Sequence, residues 1–97
     1  MEIKWNRLAI KQLLDIIQYL EDKDSVNYAE QLENKILSRI KSLPQKIEIY
    51  QADRLKKAND GSFYAFEIDS YRISYRKLEK EIRILRIRHA YRRPFTR

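Results

Sequence analysis

The spacing of apolar residues predicts two helices in the first half of the chain. From Arg7 to about Asp22, apolar residues recur at steps of three and four, which is typical of one face of an amphipathic helix. The same spacing returns after the polar break at residues 23–25 and should end before Pro44, because proline disfavours helical geometry in the residue that precedes it. Asn6 is a candidate N-cap of the first helix, and Asp24 or Ser25 of the second. The apolar positions are Ile10, Leu13, Leu14, Ile17 and Leu20, followed by Ala29, Leu32, Ile36, Ile40 and Leu43. Two such helices with a short link predict an antiparallel hairpin.

The period changes to two outside this helical region, which predicts strands. Residues 1–5 alternate as a short strand, and three further alternating runs cover residues 62–68, 71–76 and 82–88. The turn signal Asn-Asp-Gly at residues 59–61 precedes them, and tight links at 69–70 and 79–80 join them into a meander. The order β-α-α-β-β-β predicts an α+β fold, with a small, mainly antiparallel sheet and the helix hairpin packed on one of its faces. Residues 1–97 should form a single domain.

Side-chain alternation indicates where the arginines of the last two strands point. On the strand that starts at Tyr71, the tyrosines suit the core, so the arginines should face away from the helices. On the last strand two arrangements are possible. If Ile87 faces the core, the neighbouring arginines face out; if Ile82 and Ile84 face the core, the same arginines point inward unless a bulge shifts the register. The first arrangement predicts a basic patch on the open face of the sheet, formed by Arg72, Arg76, Arg86 and Arg88.

The positive charge is unevenly distributed along the sequence. The chain carries a net charge of +7, yet residues 1–70 sum to −1 and residues 71–97 to +8. Eight of the ten cationic residues in the second segment are arginine, whose planar donor fork suits phosphate and carboxylate groups. A solvated charged surface would not require this segregation. The charge pattern therefore predicts an acidic polymer or an acidic protein as partner.

Several classes of protein are excluded by what the sequence lacks. There is no cysteine, which rules out disulfides, thiol catalysis and cysteine metal sites. No signal peptide follows the N-terminus, and no apolar run approaches the length of a membrane span. We therefore expect a cytoplasmic protein that needs no membrane, no metal and no cofactor.

The chain resembles the RelE/ParE superfamily of toxins from type II toxin–antitoxin systems. The resemblance covers nearly the whole chain and rests on the order of the elements, the basic character and four stretches of sequence. These stretches are Asp-Ile-Ile-Gln-Tyr-Leu at 15–20, Leu-Pro at 43–44, Tyr-Arg-Ile-Ser-Tyr-Arg at 71–76 and Ile-Arg-His-Ala-Tyr-Arg-Arg-Pro at 87–94. It implies an acidic antitoxin that wraps the toxin and covers its basic surface. It also implies one of two targets, because RelE-like members cut mRNA in the ribosome whereas ParE-like members bind DNA gyrase.

The resemblance to RelE-like members also implies residues for metal-independent RNA cleavage. Arg72 matches the strand arginine that stabilises charge on the phosphate, and His89 could serve as acid or base. Tyr91 could stack on a base or donate a proton. Each also has a structural interpretation: Arg72 could form a salt bridge with Glu67 or Asp69, His89 could simply end the last strand with a hydrogen bond, and Tyr91 could be an aromatic residue of the core or of the surface that faces the antitoxin. The candidates for contacts with nucleic acid are Arg54, Lys56, Lys57, Arg76, Arg86, Arg88 and Arg92.

Three functions follow in order of preference: a ribosome-dependent mRNA endonuclease, a gyrase inhibitor without nuclease activity, and an inactive toxin that only binds its antitoxin. The first predicts that Arg72 and His89 converge on one phosphate. The second predicts a basic patch without that convergence.

Overall fold

The predicted α+β fold and its element order are confirmed by a computed structural model, which describes residues 1–45, 52–53 and 55–90. Two helices and four strands follow one another in the order β-α-α-β-β-β. A 3₁₀ turn over Leu43–Gln45 follows the second helix. The elements are β1 (Glu2–Trp5), α1 (Arg7–Asp22), α2 (Val26–Ser42), β2 (Phe63–Ile68), β3 (Tyr71–Lys77) and β4 (Glu81–His89).

The helices begin and end close to the predicted residues, but their caps differ from the prediction. Asn6 and Ser25 occupy the N-cap positions of α1 and α2, yet neither side chain bonds to the helix. The amide oxygen of Asn6 instead accepts a hydrogen bond from Arg83 at 3.2 Å. The helix α2 ends at Ser42, before Pro44, as predicted. The side chain of Asn6 thus contacts β4 instead of capping α1, and this contact fixes the start of α1 against the sheet.

The four strands form one mixed sheet in the order β1-β4-β3-β2. The strands β2, β3 and β4 make the predicted antiparallel meander, and β1 pairs in parallel with β4. Tight turns join the meander, with Asp69 and Ser70 between β2 and β3. The pairing of β1 extends only from Glu81 to Ile84, so it covers the first half of β4.

A bulge in β4 reconciles the two arrangements that the sequence left open. Ser74 pairs with Arg86 and Tyr75 pairs with Ile84, so Leu85 is an extra residue on β4. Ile82 and Ile84 are fully buried, and so is Ile87 beyond the bulge. The extra residue resets the alternation, so the arginines of β4 face away from the core together with those of β3.

The core lies between the helix hairpin and one face of the sheet. Isoleucines of β3 and β4 pack there against the inward stripes of α1 and α2. Ile10 and Leu14, which belong to the predicted apolar face of α1, stay 44% and 58% exposed because they lie on its flank, whereas Ala9 is fully buried. Among the residues that the structure describes, no helix has the length and apolar character needed to cross a membrane.

Candidate functional site

The face of the sheet that the helices leave uncovered, here called the open face, carries the arginines of β3 and β4. Cross-strand neighbours lie on the same face of a sheet, so the register defines three rows across it. The structure brings all four arginines of the predicted patch to this face and adds Arg83. The rows are Glu67–Arg72–Arg88, Ala65–Ser74–Arg86 and Phe63–Arg76–Arg83.

Arg72 is held inside the protein by two carboxylates. Its guanidinium group forms a close ion pair with Asp53 and a longer one with Glu67, at 3.8 Å. The side chains of Arg72 and Asp53 are only 15% and 10% exposed. The Glu67 pair is one of the salt bridges that the sequence suggested as a structural alternative, but Asp53 was missed. This ion pair neutralises the arginine that the sequence placed at the centre of a catalytic site.

The segment that supplies Asp53 lies beside the outer edge of β2. Ala52 forms an antiparallel bridge with Tyr64, and the backbone N–H of Asp53 donates to the carbonyl of Phe63 at 2.9 Å. The side chain of Asp53 thus reaches the open face from the far edge of the sheet. An aspartate in an irregular stretch, 19 residues from its partner, carries no periodic signal that could have revealed the contact.

Arg76 and Arg83 are also paired. Arg76 donates to the hydroxyl of Ser62 at 2.9 Å, pairs with Asp60 at 3.4 Å and lies over the ring of Phe63. Hydrogen bonds from Ser62 hold the pKa of Asp60 below its ordinary value, and the positive charge of Arg76 adds to this effect. Arg83 pairs with Glu81 at 2.9 Å. Much of the positive charge on the open face is therefore compensated locally.

Arg86 and Arg88 differ from the other three arginines. Within the described part of the chain, neither forms an ion pair or a side-chain hydrogen bond. Arg86 is exposed, whereas Arg88 is half-buried and its Nε is buried without a hydrogen-bond partner. They stand two residues apart on one strand, which separates their Cα atoms by about 7 Å. The two strand arginines of the open face that have no ion pair among the described residues therefore lie near each other at this end of β4.

His89 lies on the opposite face of the sheet from Arg72. It pairs with Tyr71 across the strands, and the two rings meet edge to face with their centres 5.2 Å apart. Together with Gln12 and Tyr19 of α1, it lines a cleft of about 310 Å³ between α1 and β4. The two residues that the endonuclease hypothesis needs at one phosphate are thus separated by the sheet.

The remaining predicted site residues are only partly covered by the structure. Lys56 and Lys57 lie exposed in the turn that follows Asp53, and the ammonium group of Lys56 lies 4.6 Å from the centre of the Phe63 ring. Arg54, Tyr91 and Arg92 lie outside the described residues. In the described ranges, no group of three or more histidine, aspartate or glutamate side chains could hold a metal ion.

Comparison with known proteins supports the resemblance found in the sequence. A family model described as the ParE toxin of the type II toxin–antitoxin system parDE matches residues 3–94. A structure of the chromosomal ParDE TA system from P. aeruginosa superposes with a TM-score of 0.72 and is 24% identical, covering 92% of this chain and 95% of that chain. The YoeB dimer from Staphylococcus aureus gives a TM-score of 0.61 at 17% identity, covering 94% of this chain and 98% of that chain. A comparison with curated proteins finds no match. The two structural likenesses establish a shared fold.

Proposed function

We propose that this chain, which belongs to the ParE toxin family of type II toxin–antitoxin systems, arrests growth by binding DNA gyrase and not by cutting mRNA. The protein is the toxin of its system, and its family implies an antitoxin partner. Gyrase as the target, and the cytoplasm as the place of action, are part of the proposal.

The observation that carries the proposal is the separation of Arg72 from His89. Metal-free RNA cleavage needs a base, a cation and an acid around one phosphate. Here the sheet lies between the only histidine and the strand arginine, and Arg72 is already paired with Asp53. A toxin that works by binding needs no such convergence. The sequence favoured the endonuclease first, and this geometry reverses the order.

A second support is the extent of the family match. The matching model is that of the ParE toxin, and it spans residues 3–94. The ParE-like members that the sequence resembles bind DNA gyrase. The ribosome and mRNA therefore become the alternative partners, and the test below decides between the two targets.

The test measures both activities of the same purified protein. The protein is added to DNA gyrase with relaxed plasmid, and separately to a bacterial translation extract that contains a defined mRNA. We expect loss of supercoiling and the appearance of linear plasmid, with the mRNA intact. Ribosome-dependent cuts in the mRNA with normal supercoiling would overturn the proposal, and no effect in either assay would favour an inactive, antitoxin-binding toxin.

His89→Gln provides a variant that separates the two mechanisms in cells. If His89 were a general acid or base, its replacement would lower activity by about 10²–10⁴-fold and relieve growth arrest. If the protein acts by binding gyrase, growth arrest after induction should match that of the wild type. The variant protein must show an unchanged melting temperature for this comparison to hold.

A further inference from the structure

We propose that two copies of this chain associate through the outer flank of α1, with the two helices packed antiparallel about a two-fold axis near Leu14. The contact buries apolar side chains at its centre and brings Arg7 of each copy beside Glu21 of the other. This inference concerns the helix side of the molecule, away from the open face, and it goes beyond the proposed function.

The first observation is a row of residues along α1 that the core does not cover, here called the outer stripe. Its members follow one another at steps of three and four, so they lie on one side of the helix. The apolar members Ile10 and Leu14 are 44% and 58% exposed, and Ile17 is half-buried beside the core. Three consecutive apolar positions of this kind form a patch that a partner could cover. The outer stripe consists of Arg7, Ile10, Leu14, Ile17 and Glu21.

The second observation is the order of the charges along the outer stripe. The cation Arg7 lies seven residues before Leu14, and the acid Glu21 lies seven residues after it. Seven residues of helix rise about 10.5 Å, so the two charges lie at equal distances from the middle of the stripe. An antiparallel copy therefore places Arg7 beside Glu21 at both ends of the contact, whereas a parallel copy would bring like charges together. The charge order thus favours a second copy as the occupant and selects its direction.

Neither of these two charges is used within the described part of the chain. The ion pair of α1 joins Lys11 to Asp15 at 2.9 Å. No described residue forms an ion pair with Arg7 or Glu21, and both residues are exposed. They can therefore pair between two molecules without breaking a contact of the fold.

Other occupants fit the outer stripe less well. The helix α1 carries two cations, Arg7 and Lys11, and three acids, Asp15, Glu21 and Asp22. A helix with this balance of charge does not attract a strongly acidic segment or an anionic membrane surface, both of which bind to basic helices. A second copy meets the same stripe with the opposite order of charges and needs no excess of either sign.

The size of the contact predicts weak association. The helix α1 has 16 residues and is therefore about 24 Å long. One helix pair of this length buries less than the roughly 1,600 Å² of a standard stable interface. We therefore expect exchange between monomer and dimer, with a dissociation constant of about 10–500 µM.

The test is sedimentation velocity of the full-length protein over a concentration range that spans these values. Low salt is used because it screens exposed charges least. Leu14→Ser should weaken self-association at least about tenfold, because each dimer loses two buried leucine side chains. Leu8→Ser is the matched control, since Leu8 is 49% exposed on the same helix but lies about 120° round it from Leu14. It should change the dissociation constant by less than about twofold.

Charge reversal at the two ends of the outer stripe gives a sharper test. Arg7→Glu and Glu21→Arg each turn two attractive contacts of the dimer into repulsive ones, so each variant alone should associate at least about fivefold more weakly. An equimolar mixture of the two variants restores opposite charges at both ends, because each acid of one variant meets an arginine of the other. We therefore expect heterodimers in the mixture with close to wild-type affinity. Thermal melting verifies that each variant folds.

Three results would overturn the inference. One is a protein that stays monomeric over the whole concentration range, and another is equal weakening by Leu14→Ser and Leu8→Ser. The third is a mixture of the two charge-reversed variants that does not recover the association that each has lost. Phosphatidylglycerol vesicles that shift the NMR signal of the Leu14 amide while the free protein stays monomeric would assign the outer stripe to a membrane surface instead. Because gyrase takes no part in this experiment, its failure and the failure of the proposed function are distinguishable.

Discussion

At the scale of single residues, the turn between β2 and β3 concentrates backbone strain. Asp69 and Ser70 adopt φ angles of 50° and 71°, in the region that glycine adopts most easily. Asp69 is held by Tyr28 and Lys35, each at 3.2 Å. Burial raises the pKa of the Tyr28 hydroxyl group, and the nearby carboxylate of Asp69 raises it further. These contacts offset the strain at Asp69, whereas the hydroxyl group of Ser70 forms no hydrogen bond in the described part of the chain.

Ser70→Gly should therefore stabilise the protein. Removing the side chain relieves the strain of a positive φ, and this gain should exceed the entropic cost of the more flexible unfolded chain. We expect the free energy of unfolding to rise by about 0.5–1 kcal/mol. For a domain of this size the melting temperature should rise by about 2–8 °C, measured by circular dichroism. Ser70→Ala is the control, because it keeps the Cβ atom and should give no gain. A lower melting temperature for the glycine variant would contradict this explanation.

At the scale of elements, β4 consists of two halves that differ in their strand pairing and in the side chains they place on each face. The first half pairs on both sides and places Ile82 and Ile84 in the core. The second half carries Arg86 and Arg88 on the open face. The bulge at Leu85 lets both halves keep their apolar residues inside. Without the extra residue, a regular strand would expose one half or bury the arginines of the other.

Deleting Leu85 should therefore destabilise the protein far more than shortening its side chain. The deletion turns the arginines toward the core or Ile82 and Ile84 toward solvent, and we expect a loss of at least about 3 kcal/mol. Leu85→Ala keeps the bulge and removes a half-buried side chain, so it should cost about 1 kcal/mol. Urea unfolding measures both changes. Similar losses for the two variants would show that the bulge is not what sets the register.

Whether a feature could be predicted from the sequence depends on how far apart along the chain the residues that determine it lie. The helices and strands were predictable because their periods are local and strong. The bulge was not, because a break in a period of two fits more than one register. The open face was predictable from alternation, but the neutralisation of Arg72 depends on Asp53 in an irregular segment. The charge count therefore indicated a basic surface without showing which of its arginines are unpaired.

At the scale of the whole molecule, folding partly cancels the segregation of charge along the chain. Acids from earlier in the chain, among them Asp53 and Asp60, fold back onto the arginines of β3. Arg83 is paired within its own strand with Glu81. Of the strand arginines that the structure describes, only Arg86 and Arg88, on the second half of β4, have no ion pair. The protein thus uses Arg72 and Arg76 to join earlier segments of the chain to the open face, while Arg86 and Arg88 carry no such pair in the described residues.

This division of roles predicts how Arg72 and Asp53 respond to a double-mutant cycle. Arg72→Gln leaves the largely buried Asp53 carboxylate without its ion-pair partner, and Asp53→Asn leaves Arg72 with only the longer pair to Glu67. Each change should cost about 1–3 kcal/mol of unfolding free energy. The double variant should recover much of that loss, because the two neutral amides can still bond to each other. Urea unfolding of all four proteins gives the coupling energy.

The same cycle tests whether Arg72 has any chemical role. If the arginine only joins the irregular segment to the sheet, the double variant should arrest growth as the wild type does. If the arginine binds a phosphate, growth arrest should be lost in the double variant even though its stability has recovered. Stability and toxicity would then separate, whereas the structural role requires that they change together.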